Sequence, residues 1–277
     1  MVVPDRPHDV EETRDPARRS GVHRTRRFLV NSSARRLRGD TFAALPPAGT
    51  LRIAAVGDST TFGWGLSDDQ TWPARLTEEL TRRGHPVEVI NAGVPAQRIA
   101  GMAAWLRVMA PTLGIGAVLF TRRPPPDGPA PFDDYARAVL EVQRTFKRVQ
   151  VLLPPVSQFD PHGCSVWQNE WDGLRARLPG VDVLDLTPAM RAAQGTRGCR
   201  VDVAGGMATV VRAERGEKLL TARASDHGLP LEIYTLLEAD PTVREALFFD
   251  DGHPDAEGID ALVPTIASRV IEAGWFG

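Results

Sequence analysis

The chain has 277 residues, 42% hydrophobic and 25% charged, proportions that exclude wholesale disorder and a fibrous repeat. Its 33 basic and 35 acidic side chains nearly cancel, which leaves no global field to attract nucleic acid. No apolar run reaches the roughly 18 residues of a membrane helix. Cys164 and Cys199 are too few for a disulfide framework or a four-cysteine zinc site, and stand as two free thiols or one bond.

The first twenty residues, polar with prolines and acids, read as a loose arm. They have no apolar h-region, so no secretory signal is visible and a cytoplasmic location is expected. From Arg18 to Arg38 the chain is rich in arginine and lacks carboxylates, a pattern that nucleic-acid tails share. Phe28–Asn31 and Leu37 interrupt the run, which favours an arm packed on the domain over a nucleic-acid tail. All basic residues except Lys147 and Lys218 are arginine, which reads first as coding bias. Residues 1–48 are therefore taken as a partly extended arm, with Pro46–Thr50 as the hinge into a domain spanning 49–277.

Leu51–Val56 is a short apolar run ending at Gly57, the pattern of a buried strand. Trp72, Leu76 and Leu80 then recur on one helical face, with Pro73 in the first turn and Gly84 at the end. Val87–Asn91 is the second strand, Ile99–Met109 a helix, Ala117–Phe120 the third strand and Phe132–Phe146 a helix. Val149–Pro154 and Val181–Leu186 follow as strands. Residues 200–247 break this rhythm and read as an insertion or lid. In the last segment Ile259, Leu262, Val263, Ile266 and Val270 share a helical face, and Pro264 within it predicts a bend or a late start. Strands alternating with helices imply an α/β fold with a parallel sheet covered on both faces. Functional groups then belong beyond the carboxyl ends of the strands. Three such ends carry chemistry: Gly57-Asp58-Ser59, Asn91-Ala92-Gly93 and Thr121-Arg122-Arg123.

Ser59 stands between a buried strand and a helix, where its hydroxyl lies near the free N–H groups of a helix start. It is either a helix cap or a nucleophile. The loop GDSTTFGWG has neither dinucleotide-type nor P-loop glycine spacing. A hydroxyl nucleophile needs a base, most often histidine. Among six histidines, His253 stands out in FFDDGHPDAEG, with Asp250 three residues before it and Pro254 after it. A tight turn of this spacing can bring one carboxylate to one imidazole nitrogen and leave the other nitrogen for a hydroxyl. Asp251 competes for that task, and the spacing favours Asp250. Asp255 suits the cap of the last helix. His85, after a helix end, reads as solvated or capping. Trp64, five residues after Ser59, is a candidate pocket wall. Trp72 reads as core, and Trp167 and Trp171, one turn apart, as core or lid packing.

Taken together, Val56-Gly57-Asp58-Ser59, Asn91-Ala92-Gly93 and Asp250-x-x-His253-Pro254 resemble the SGNH (GDSL-type) hydrolases from about Leu51 to the C-terminus. Phe28–Asp40, with Asn31-Ser32 and Arg36, also resembles an extension of some bacterial members, in which a glycine stands at Ala34. The resemblance implies a flavodoxin-like three-layer α/β/α sandwich. It makes Ser59 the nucleophile, completes the triad with Asp250 and His253, and gives the N–H groups of Ser59 and Gly93 to the oxyanion hole. No metal or organic cofactor is implied. The third motif departs from the family. LFTRRPPPDG stands where Gly-x-Asn-Asp is usual, with Thr121 at the Gly, Arg123 at the Asn and Pro124 at the Asp. Arg122 or Arg123 then supplies the missing oxyanion donor, or binds a carboxylate or phosphate of the substrate, or the activity is weak or lost. The expected function is serine-dependent hydrolysis of a small-molecule or acylated-metabolite ester. Acyl transfer from the same site and a degraded, binding-only protein are the alternatives.

Overall fold

The computed structural model describes residues 7–12, 26–31, 37–39, 42–121, 130–160, 171–224, 229–240, 242–250 and 252–277. Residues Pro7–Glu12 (β1) and Arg26–Asn31 (β2) pair antiparallel within the arm, where the sequence suggested a loose start. The βα alternation begins with β3 (Leu51–Gly57), followed by the single-turn helix α1 (Ser59–Phe62) and α2 (Trp72–Arg82). Next come β4 (Val87–Gly93), α3 (Ile99–Leu113), β5 (Ala117–Thr121), α4 (Ala130–Thr145) and β6 (Val149–Leu153). After a further helical stretch over 171–176 come β7 (Asp182–Asp185) and α5 (Thr187–Gln194).

The five strands β3 to β7 form one parallel sheet in the order β4-β3-β5-β6-β7. This is the flavodoxin-like doubly wound order, whose direction of progression reverses beside β3. The register matters for the site: Gly57 pairs with Gly93 on one side and Thr121 on the other. The three strand ends singled out in the sequence are therefore immediate lateral neighbours.

Alternation along the strands divides the core. Ala54, Val56, Val118, Phe120, Val151 and Leu153 face α3 and α4. Ile53, Ala55, Ala117, Leu119 and Leu152 face α2, α5 and α7 (Ala256–Glu272). Both faces of the sheet are thus apolar, as a parallel sheet buried by crossover helices requires. Leu37, from the upstream arm, is buried in the first of these clusters. Trp72 packs in the second and Trp171 in the first, while Trp167 lies outside the described residues.

Residues in the stretch that breaks the βα rhythm make a separate antiparallel sheet. Its strands are β8 (Cys199–Ala204), β9 (Met207–Arg212) and β10 (Glu217–Arg223), ordered β10-β9-β8. Together with α6 (Leu231–Ala239) it encloses its own small core of Phe159, Cys199, Ala208, Val210, Ile233, Leu237 and Val243. Cys199 is a buried free thiol, and burial pushes its pKa up; Cys164 lies outside the described residues.

The last helix removes one of the two alternatives at Pro264, the late start. It starts at Ala256 and runs through Pro264 rather than starting after it. Pro264 and Asp260, the residue whose carbonyl loses its bond, both lie on the exposed face, where solvent can supply the missing donor. His85 stacks on Phe276 with ring centroids 4.3 Å apart. Among the described residues no helix is long and apolar enough to cross a membrane.

Candidate active site

The site stands on the carboxyl ends of β3 and β4. β3 ends at Gly57, and Asp58 caps α1 by accepting the Thr60 N–H at 3.0 Å. Ser59 is the first residue of α1, and its carbonyl accepts the N–H groups of Gly63 (2.9 Å) and Trp64 (3.0 Å). Gly63 ends the turn in the left-handed region at φ +80°.

The backbone of α1 lies almost directly on the strand ends. A Cβ on Gly93 would stand 2.2 Å from the Phe62 nitrogen and 2.6 Å from the Thr61 carbonyl carbon. One on Gly57 would stand 2.3 Å from the Thr121 oxygen and 1.9 Å from Thr61 Oγ1. Both positions need glycine because backbone approaches backbone, whatever else those residues do.

His253 comes from the far end of the chain, on the segment that enters α7. A buried carboxylate anchors the approach: Glu245 accepts from Ser157 Oγ (2.7 Å), the Gln158 N–H (2.7 Å), Gln194 Nε2 (2.9 Å) and Arg191. Leu247 then adopts φ +67°, an unusual conformation for a bulky side chain. Its carbonyl accepts the Asp255 N–H at 3.0 Å, and its side chain is buried among α7 residues, so both ends of the strained residue are fixed. From there the turn closes on itself. The Phe249 N–H donates to the His253 carbonyl at 2.8 Å, and Phe248 bridges to Pro254. Asp250 Oδ1 accepts the N–H groups of Gly252 (2.7 Å) and His253 (2.8 Å).

Three predicted residues meet here. His253 Nδ1 lies 2.9 Å from Asp250 Oδ2 and 3.0 Å from Oδ1, while His253 Nε2 lies 2.8 Å from Ser59 Oγ. The Asp250 side chain is 1% exposed and that of His253 is 17% exposed. The carboxylate is therefore shielded, and the imidazole it orients stays reachable. An ionised Asp250 places the neutral ring's proton on Nδ1, which leaves Nε2 to accept from the serine hydroxyl. Asp255 caps α7 by accepting the Gly258 N–H at 2.9 Å, so it does not compete for the histidine.

The remaining candidates fall differently. Gly93 is beside the serine turn, but its N–H donates to Asn91 Oδ1 at 3.0 Å, so an oxyanion there would have to share or replace that acceptor. Trp64 is half-buried just after α1, its ring centroid 6.1 Å from that of Phe62. Arg122, Arg123, Pro124 and Asp251 lie outside the described residues.

Two residues at the site were not singled out in the sequence. Arg38 is buried beneath α1, with Nε on Asp68 Oδ1 at 2.7 Å and one terminal nitrogen on the Gly63 carbonyl at 2.8 Å. Burial pulls its pKa down, and the Asp68 carboxylate opposes that pull. Asn91 was quoted only as part of a strand-end motif. Its Oδ1 holds the Gly93 N–H, and its Nδ2 reaches the Phe62 carbonyl at 3.4 Å.

Solved structures share this fold. The lipase/acylhydrolase from Enterococcus faecalis matches at 15% identity over 80% of this chain and 96% of that chain, with a TM-score of 0.51. The acetyl xylan esterase AlAXEase matches at 13% identity over 79% of this chain and 100% of that chain, also at 0.51. No protein-family model and no curated protein matches the sequence. The likeness is one of fold: this chain has the α/β fold of the SGNH (GDSL-type) hydrolases.

Proposed function

We propose that this chain is a serine hydrolase of acyl esters, with Ser59 as nucleophile, His253 as general base and acid, and Asp250 as the group that orients the imidazole. The observation that carries the reading is the unbroken hydrogen-bonded chain from Asp250 through His253 to Ser59, with links of 2.9 and 2.8 Å. The esterase and acylhydrolase names of the two structural counterparts agree with it.

The chemistry follows from the geometry. As Ser59 Oγ bonds to the ester carbonyl carbon, its proton passes to His253 Nε2. The imidazolium is steadied by Asp250, which keeps its negative charge. The carbonyl oxygen becomes an oxyanion close to the Ser59 N–H, with the Gly93 N–H available once it leaves Asn91. When the C–O bond to the alcohol breaks, the leaving oxygen takes the proton from His253. Water then attacks the acyl-serine, gives its proton to Nε2, and the acid leaves as Ser59 recovers its hydrogen. Apart from the attacking water, these steps draw on side chains and backbone N–H groups of this chain. The substrate is a small acylated molecule.

A fluorophosphonate reagent and a panel of nitrophenyl esters from acetyl to octanoyl test the proposal. The expected outcome is one label per folded molecule and ester turnover, both abolished in Ser59→Ala. Folded wild type that takes up no label and turns over no ester would overturn it.

A further inference from the structure

Ser59 rides on one turn of helix. A single turn fixes more backbone than its bonds repay, so α1 must be held from outside. One hold is the Gly93 seat beneath it. Another is Arg38, whose described hydrogen bonds go to the stretch that carries and follows the serine. One terminal nitrogen donates to the carbonyls of Phe62 and Gly63, the second to the Leu66 carbonyl, and Nε to Asp68. The guanidinium also lies 4.6 Å over the Phe62 ring. Carbonyls at the end of a helix lack intrahelical donors, and Arg38 supplies them. Its side chain is 1% exposed, so water does not compete for these bonds.

The hold extends to the neighbouring strand. The Arg38 backbone bridges to Asn91, and the Asn91 side chain shares the Phe62 carbonyl with Arg38 while accepting the Gly93 N–H. The serine turn and the end of β4 are thus tied into one network, with a residue of the upstream segment at its centre.

We infer that Arg38 is a positioning residue for Ser59, holding α1 at the height and angle at which the hydroxyl meets His253. The inference rests on the hydrolase reading above. Its described bonds go to the end of α1 and to the residues that follow it, so its effect reaches the serine through that segment. A planar fork spans four separate acceptors, and a lysine ammonium cannot reproduce that spread.

The test is Arg38→Lys in the full chain, assayed well below its melting temperature and normalised to folded protein by circular dichroism. Displacing the serine by about 1 Å costs on the order of 100-fold in rate. The expected result is fluorophosphonate labelling slowed by about that factor, kcat reduced in parallel and KM little changed. A bond that only stabilised the fold would lower the melting temperature and leave the labelling rate per folded molecule unchanged. That outcome, with wild type labelled normally, overturns this inference alone. Unlabelled wild type overturns the hydrolase reading and this inference with it. Should Arg38→Lys fail to fold, Asp68→Asn keeps the guanidinium but loosens its Nε bond. Labelling about tenfold slower is then expected, and an unchanged rate overturns the inference.

Discussion

The turn that carries His253 is closed by bonds among its own residues, whereas the turn that carries Ser59 is held by residues from elsewhere. Asp250 alone binds two N–H groups of its own turn as well as the imidazole, and Phe249 ties back to His253. α1 rests instead on Gly93, two residues beyond Asn91, and on Arg38, more than twenty residues upstream. In the first arrangement the described bonds of the turn are local. The second depends on packing that only the complete fold creates. The comparison therefore predicts that substitutions around His253 act through chemistry, while substitutions around Ser59 act through displacement.

The largest effect should come from Asp250→Asn. An asparagine of the same shape can still accept the N–H groups of Gly252 and His253, so the turn should survive. The imidazole would lose the partner that fixes its tautomer and steadies its charge, a change that costs about 10⁴-fold in turnover in a serine triad. Ester turnover measured beside the melting temperature checks this. A loss of both together would show that the carboxylate's structural bonds dominate, and would break the proposed contrast.

Gly93→Ala should come next, and by the opposite route. The added methyl would meet the backbone of Thr61 and Phe62, which cannot swing aside as a flexible side chain would. α1 must lift, and overpacking of this kind costs about 1–3 kcal/mol of stability. Lifting the serine by about 1 Å should slow labelling by about 100-fold. Here rate and stability are expected to fall together. A rate loss with the melting temperature preserved would show that α1 shifts without a packing cost, and would separate displacement from overpacking.

The same contrast explains what the sequence made legible. The His253 turn could be read because its partners are a few residues apart, so spacing alone connects them. The sheet could be read because apolar runs and amphipathic helices alternate, and the strand-end motifs fall where a doubly wound sheet concentrates chemistry. Arg38 could not be picked out. It sits in a run of arginines, and most of its acceptors are backbone carbonyls 24 to 28 residues away, which leave no mark in residue identity. Asn91 was in view, but attention went to the glycine beside it. The antiparallel sheet of β8 to β10 did carry a readable signal. Gly205-Gly206, both at positive φ, separates two alternating apolar runs and is the turn chemistry of a two-residue hairpin. Of the bend or late start expected at Pro264, the late start does not occur, because a proline on a solvent-facing helix position is tolerated when the carbonyl it strands is also exposed.

Asp255→Ala should have the smallest effect, and it probes how self-sufficient the His253 turn is. Asp255 caps α7 two residues after the histidine, through the Gly258 N–H at 2.9 Å. Its removal costs the helix one capped donor, typically about 1 kcal/mol. The bonds that close the histidine turn, from Phe249 to His253 and from Asp250 to Gly252 and His253, do not involve the Asp255 side chain. A modest drop in melting temperature with nearly unchanged kcat is therefore expected from thermal denaturation and ester assays. If kcat instead fell tenfold or more, the histidine would be positioned by the start of α7 rather than by its own turn. Both halves of the site would then depend on distant packing.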